Sequence, residues 1–148
     1  MNLEPIGYVR SPVTEGLDQD WGNVESEIII NEAYAAGLIG LEGFSHVIVI
    51  FYMHQSSWNL DSDLVRRPQG RSDLKPVGIF AQRAKHRPNP LGITAVKVVS
   101  VVGNILKVRG LDAIDGTPVL DLKPYFPAYD RRDAHTPAWV DDLMKNYF

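Results

Sequence analysis

Ile93-Thr-Ala-Val-Lys-Val-Val-Ser-Val-Val-Gly-Asn-Ile-Leu-Lys-Val108 is the stretch that decides the fold. Two runs rich in β-branched residues flank Gly103-Asn104, and a two-residue connection of that kind joins antiparallel strands in a hairpin. Upstream, Val47 to Tyr52 is a continuous β-branched and aromatic run, as in a strand buried on both faces or set at a dimer seam. Val24 to Ile30 alternates well and Pro5 to Arg10 weakly; Val77 to Ala81 and Val119 to Leu122 complete the core set. Asp115-Gly116 is a second hairpin-type signal, placed between Ile105–Val108 and Val119–Leu122. Short strands at this spacing predict a mainly β barrel or sandwich.

Helical signals are few. Asn31 is positioned to cap a short helix from Glu32 to Ala36, ended by Gly37. Thr136-Pro137 reads as N-cap and first position of a C-terminal helix through Lys145. Residues 54–75 form a long polar connection, the kind that is functional or mobile. No Gly-x-Gly-x-x-Gly turn follows a strand, and strands do not alternate with helices. Both absences argue against a doubly wound nucleotide-binding sheet.

The 148 residues are expected to form one domain with a sizeable core. With no cysteine, disulfides, thiolate metal sites and cysteine nucleophiles are excluded. Met1 to Pro12 lacks the apolar core of a signal peptide, and runs such as Val47 to Met53 are too short to span a bilayer. A soluble cytoplasmic protein is expected. His46, His54, His86 and His135 lack metal-ligand spacing, so no metal is expected.

Charge is unevenly spread. Arg66, Arg67, Arg71, Lys75, Arg83, Lys85 and Arg87 are seven of the 15 cations, opposed within their segment only by Asp73. That segment is net +6 in a chain of net charge -3. A local basic patch on an acidic protein suits a partner that carries phosphate in one place; a solvated loop is the plainer alternative.

Two segments are dense in chemistry. Gly78-Ile-Phe-Ala-Gln-Arg-Ala-Lys-His-Arg-Pro-Asn-Pro-Leu-Gly-Ile93 runs from an apolar stretch into a loop stiffened by two prolines. It presents cations, His86 and Asn89. Gly110-Leu-Asp-Ala-Ile-Asp-Gly-Thr-Pro-Val-Leu-Asp-Leu-Lys-Pro-Tyr125 holds three aspartates and Lys123. Read on their own, Arg83 pairs with Asp112 or Asp115, or forks onto a ligand. Asn89 caps its turn or contacts substrate, and Asp121–Lys123 is an ion pair or part of the site.

These two segments resemble the signature stretches of the TsaA-like family of tRNA methyltransferases. Ile6-Gly7-Tyr8-Val9-Arg10-Ser11-Pro12 and Gly40-Leu41-Glu42-Gly43-Phe44-Ser45-His46 support the resemblance, which spans about residues 5 to 130. It implies a single-sheet β-barrel with a few short peripheral helices, dimeric, with S-adenosylmethionine bound near the subunit interface. The implied reaction is methylation of N6 of threonylcarbamoyl-adenosine beside the tRNA anticodon. Carried over residue by residue, the cofactor site takes His54, Gln55, Arg83, Ile93, Leu111, Asp112, Ala113, Ile114, Asp115 and Gly116. For the RNA side, the net +6 segment supplies Arg66, Arg67, Arg71 and Lys85, and the stiff loop Arg87 and Asn89. His86, Asp112 and Asp115, or the substrate's own carboxylate, are candidate bases for a weakly nucleophilic ureido nitrogen.

The departures also count. Gln82 and Lys85 replace the family's threonine and proline. Gly16-Leu17-Asp18-Gln19-Asp20-Trp21 replaces a stretch that often carries Pro-Arg-Gln, and the chain stops at Phe148, short of the longer bacterial members. They leave open a paralogue with a small-molecule or other RNA acceptor, or a non-catalytic module that binds cofactor or RNA.

Overall fold

The computed structural model describes residues 1–148. Six strands close a barrel: β1 (Gly7–Arg10), β2 (Glu25–Ile30), β3 (His46–Tyr52), β6 (Leu91–Val102), β7 (Ile105–Arg109) and β8 (Pro118–Pro124). Their order around the wall is β1-β2-β7-β6-β3-β8, every pairing antiparallel. Closure comes where β1 meets β8, with Gly7 opposite Val119. A closed wall leaves no unpaired edge.

Alternation explains the interior. Ile28 and Ile30 of β2, Val47, Val49 and Phe51 of β3, Val96 of β6, and Leu106 and Val108 of β7 point inward as one core cluster. Strand β6 is longer than its partners because it serves two of them. Leu91–Lys97 pairs with β3 and Lys97–Val102 with β7, the register slipping between Val98 and Ser100. That bulge lets both Val98 and Val101 pack on the core, so a strict period of two fails there.

Two expectations are corrected. Val77–Ala81 is not a barrel strand: only Val77–Gly78 (β5) is extended, paired with Val65–Arg66 (β4) in a separate two-stranded ribbon, and Ile79–Ala81 turns as a 3-10 helix. Of that apolar run only Ile79 is fully buried, at 1% exposed, while Phe80 is 82% exposed. Asp115-Gly116 does not join a hairpin, since β7 and β8 are not neighbours. Residues 110–117 instead cross one end of the barrel and tie to β1 and the chain after it, through Gly116 N–H to Val9 O (2.8 Å) and Asp115 N–H to Val13 O (2.7 Å). The polar connection of residues 54–75 holds α1 (Leu60–Asp63), capped by the Asn59 side chain, and β4.

The helices are peripheral, as expected. Glu32–Leu38 is 3-10 rather than α, and Asn31 spends its side-chain amide on the Pro5 carbonyl instead of a cap. Short α2 (Pro127–Asp130) follows β8. The C-terminal helix α3 is Ala138–Met144, with Pro137 rather than Thr136 at the N-cap position. No helix is long and apolar enough to cross a membrane.

Candidate functional site

The end of the barrel reached by the C-termini of β1, β3 and β7 and the N-terminus of β6 opens into a cavity of about 960 Å³. Its floor is the core itself: Phe51, Thr94, Ala113 and Thr117 are at once buried and in the wall. Phe51 fits because position 92 is glycine. A Cβ there would stand 2.3 Å from the Phe51 ring.

Both dense segments reach this cavity. The proline-stiffened loop brings Arg83, Lys85, His86, Arg87, Asn89 and Ile93, while the crossing segment brings Asp112, Ala113 and Ile114. The end of β3 adds His54 and Gln55, and the polar connection adds Arg66 and Arg67. Leu111, Asp115, Gly116 and Arg71 do not line it. Leu111 is fully buried in the core. Asp115 uses its carboxylate to accept from Ser11 N–H at 2.9 Å. Gly116 lies behind His54, where an added Cβ would come 4.0 Å from Nε2.

The stiff loop is closed by its own cations. Arg83 pairs with neither aspartate; it donates to the Ile93 carbonyl at 2.5 Å. Arg87 donates to the carbonyls of Gln82 (3.0 Å) and Ala84 (3.4 Å). Neither contact neutralises charge, so both guanidinium groups keep it at the cavity wall. Buried Gln82 ties the loop to the ribbon through the carbonyls of Arg66 and Val77. A threonine is too short to span both, so this departure from the family pattern serves structure.

The basic patch is less free than the sequence suggests. Arg71 is held by Asp73 (2.6 Å) and by Asp142 of α3 (2.8 Å), and these carboxylates push its pKa far above the ordinary value. Arg66 lies 3.5 Å from Asp63. Arg67 donates only to the carbonyls of Ser72 and Leu74. The Asp121–Lys123 pair exists, at 2.8 Å, on the outer surface.

Four ionisable side chains shape the cavity chemistry. His86 has Nδ1 tied to the backbone of Ser57, 3.1 Å from its N–H and 3.0 Å from its carbonyl, leaving Nε2 free. Asp112 has both oxygens engaged: Thr94 Oγ1 donates to Oδ1 at 2.5 Å and the Tyr147 hydroxyl to Oδ2 at 2.6 Å. Burial, then the Asp112 charge, pushes the Tyr147 hydroxyl above the usual phenol range. His54 Nδ1 is buried with no hydrogen-bond partner in the protein. Such an atom costs about 1–3 kcal/mol unless a ligand or water supplies its partner. No cluster of three His, Asp or Glu side chains converges to hold a metal.

Sequence reasoning missed Thr94, Trp21 and Tyr147, all in the cavity wall. Thr94 carried a signal, as a hydroxyl on the inward phase of an apolar strand. Tyr147 carried none, being 35 residues from the aspartate it binds.

Residues 15–131 match the family model of the tRNA-methyltransferase O N-terminal domain. The chain belongs to that family. A probable S-adenosyl-L-methionine-binding protein of Pyrococcus abyssi is 36% identical over 93% of this chain and 74% of its own length. An S-adenosyl-L-methionine-binding protein of Archaeoglobus fulgidus is 40% identical over 88% of this chain and 93% of its own. A tRNA (adenine(37)-N6)-methyltransferase of Escherichia coli is 38% identical, but the match covers only 57% of that enzyme and 84% of this chain. Among solved structures, TrmO from Pseudomonas aeruginosa superposes with a TM-score of 0.72 at 33% identity, over 91% of this chain and 60% of that one. The chain thus spans about three fifths of the TrmO structure it matches.

Proposed function

We propose that this chain is a methyltransferase that uses S-adenosylmethionine to methylate N6 of threonylcarbamoyl-adenosine beside the anticodon of tRNA, in the cytoplasm. One observation carries the reading: two family signatures, separate in sequence, both line one cavity. Membership of the family and the S-adenosylmethionine-binding relatives support the cofactor. The residues fit it. Phe51, Met53, Leu91 and Ile93 offer apolar surface, the unpartnered His54 Nδ1 a polar anchor, and Arg83 a charge for a carboxylate.

Bound S-adenosylmethionine supplies an electrophilic methyl group for in-line displacement. The protein's part is to hold the acceptor nitrogen in line and to receive its proton. His86 is assigned as base in the tautomer whose Nδ1–H donates to the Ser57 carbonyl, which leaves the Nε2 lone pair free at the cavity wall, whereas Asp112 has both oxygens occupied and Asp115 lies outside the wall. Arg67, Lys85 and Arg87, with Asn89, take the RNA side, where no carboxylate neutralises the three cations.

The protein acts as a homodimer, and residues 1–148 as one domain. An outward apolar stripe runs across β3 and β6, pairing Ile48 with Ala95, Ile50 with Ile93 and Tyr52 with Leu91. Leu91 and Ile93 continue it to the cavity rim, so a partner seated there covers the site. Light scattering at micromolar concentration tests the dimer, and a monomer refutes it. Purified protein, S-adenosylmethionine and threonylcarbamoyl-modified tRNA test the reaction, with the N6-methylated nucleoside expected on mass spectrometry. Unmethylated tRNA with cofactor binding intact rejects the acceptor. Absence of S-adenosylhomocysteine binding at millimolar concentration rejects the cofactor.

A further inference from the structure

Tyr147, in the segment Asn146–Phe148, is built into the cavity wall from the far end of the chain. Its backbone bridges to the loop between β1 and β2: Asp20 N–H donates to the Asn146 carbonyl and Trp21 N–H to that of Tyr147, each at 2.8 Å. Trp21 is 2% exposed and anchors that loop by donating its indole N–H to the Leu17 carbonyl. Gly22 has no side chain where Phe148 passes; a Cβ there would lie 2.6 Å from the Phe148 carbonyl carbon. The loop that departs most from the family pattern and the C-terminal segment therefore form one docked unit.

That unit has a polar tip. The Tyr147 hydroxyl reaches Asp112 Oδ2, while Thr94, on the barrel wall, holds Oδ1. Asp112 starts the crossing segment that gives the cavity Ala113 and Ile114. Its carboxylate is thus gripped between the rigid wall and the docked tail. A charge-assisted hydrogen bond in a half-buried site fixes geometry as well as adding stability.

We infer that Tyr147 is a positioning residue: it holds Asp112, and through it the segment Leu111–Thr117, in the shape that receives the cofactor. The inference rests on the cofactor reading above. Tyr147 works through Asp112, without the need to touch the reacting atoms.

The test is Tyr147→Phe, which keeps the ring and removes the hydroxyl, beside Gly22→Ala, which lies outside the cavity wall and acts only by displacing the tail. Two readouts are taken on the whole chain. In ligand-free protein, amide exchange across Leu111–Thr117 rises in both variants, while the β3–β6 amides stay as protected as in the unaltered protein. Calorimetry with S-adenosylhomocysteine gives binding about tenfold weaker, the worth of one hydrogen bond to a charged group. In turnover, KM for the cofactor rises with it and kcat at saturation holds within about twofold. Thr94→Val, which frees the other carboxylate oxygen, gives the same pattern.

Unchanged exchange across Leu111–Thr117 in Tyr147→Phe overturns the inference, whether or not any ligand binds. Faster exchange with unchanged S-adenosylhomocysteine affinity overturns it too, since Tyr147 then props the loop without serving the site. A fall in kcat at unchanged cofactor affinity would place Tyr147 among the reacting groups and overturn the positioning role. If the unaltered protein binds no S-adenosylhomocysteine, the cofactor reading fails, and the exchange data alone decide whether Tyr147 holds the segment.

Discussion

Arg83 donates to the carbonyl of Ile93 at 2.5 Å, and so draws the start of the proline-stiffened loop against the strand that follows it. One of its five N–H donors closes the loop; the others are available at the cavity wall. On the proposed cofactor reading, Arg83→Ala loses twice, in loop shape and in charge at the cavity wall. S-adenosylhomocysteine affinity should fall by at least about tenfold, with Arg83→Lys recovering only part because an ammonium lacks the planar fork. Isothermal calorimetry on the three proteins checks this; equal affinities would remove Arg83 from the site.

Gly92 and Phe51 predict a stability effect that reaches function. An alanine at 92 forces the Phe51 ring to move, yet that ring is 3% exposed and packed in the core as well as in the cavity floor. Overpacking of this kind costs about 1–3 kcal/mol. Gly92→Ala should lower the unfolding free energy measured in urea by that amount, shifting the midpoint to lower urea, and narrow the cavity. Gly7→Ala should cost more, because its Cβ would meet the backbone carbonyl of Ile29 at 2.3 Å, and a paired strand cannot swing aside as a ring can.

The sequence exposed the barrel through period-two patterning and the Gly103-Asn104 hairpin, and it exposed the cavity through the two signature segments. It misled where an apolar run served something other than a strand. Val77–Ala81 carries the same residue types as β3, yet the polar Gln82 that follows it is pulled down to bind two ribbon carbonyls, and the chain turns. Asp115-Gly116 does make a turn. A local turn signal does not say which strands it separates, and barrel closure set β7 and β8 apart. Partners distant in sequence were beyond reach, such as Tyr147 with Asp112 and Arg71 with Asp142.

Acid should weaken the fold through Glu25, which bridges Lys107 (3.2 Å) and Arg109 (2.7 Å) across the β2–β7 pair. Its hydrogen bonds to Arg109 and then Lys107 hold its pKa below the ordinary value. Folded Glu25 therefore binds fewer protons than unfolded Glu25 in the acid range. Its contribution is present above the unfolded pKa, about 4.3, and is lost as the pH falls through the lower folded value. Thermal midpoints against pH should fall less steeply below about pH 4.3 in Glu25→Gln than in the unaltered protein. Salt should blunt the difference, because the pair is exposed.

Arg67 and Arg71 are four residues apart and should respond differently to charge reversal. Arg71 is committed to Asp73 and Asp142, so Arg71→Glu sets three carboxylates together and loosens α3 from the body. Arg67 meets only carbonyl oxygens and lines the cavity. Arg67→Glu should weaken tRNA binding at low salt and flatten the dependence of log K on log salt by about 0.7, the share of one phosphate contact on single-stranded RNA. Cofactor affinity should stay unchanged if Arg67 serves the RNA side, as proposed. Arg71→Glu should lower thermal stability while altering the salt slope less than Arg67→Glu does. Filter binding of modified tRNA from 50 to 200 mM salt, a range chosen for the steep dependence of such contacts, separates the two. Equal slopes in Arg67→Glu and the unaltered protein would remove Arg67 from the phosphate contacts and shift the RNA side of the site to Lys85 and Arg87.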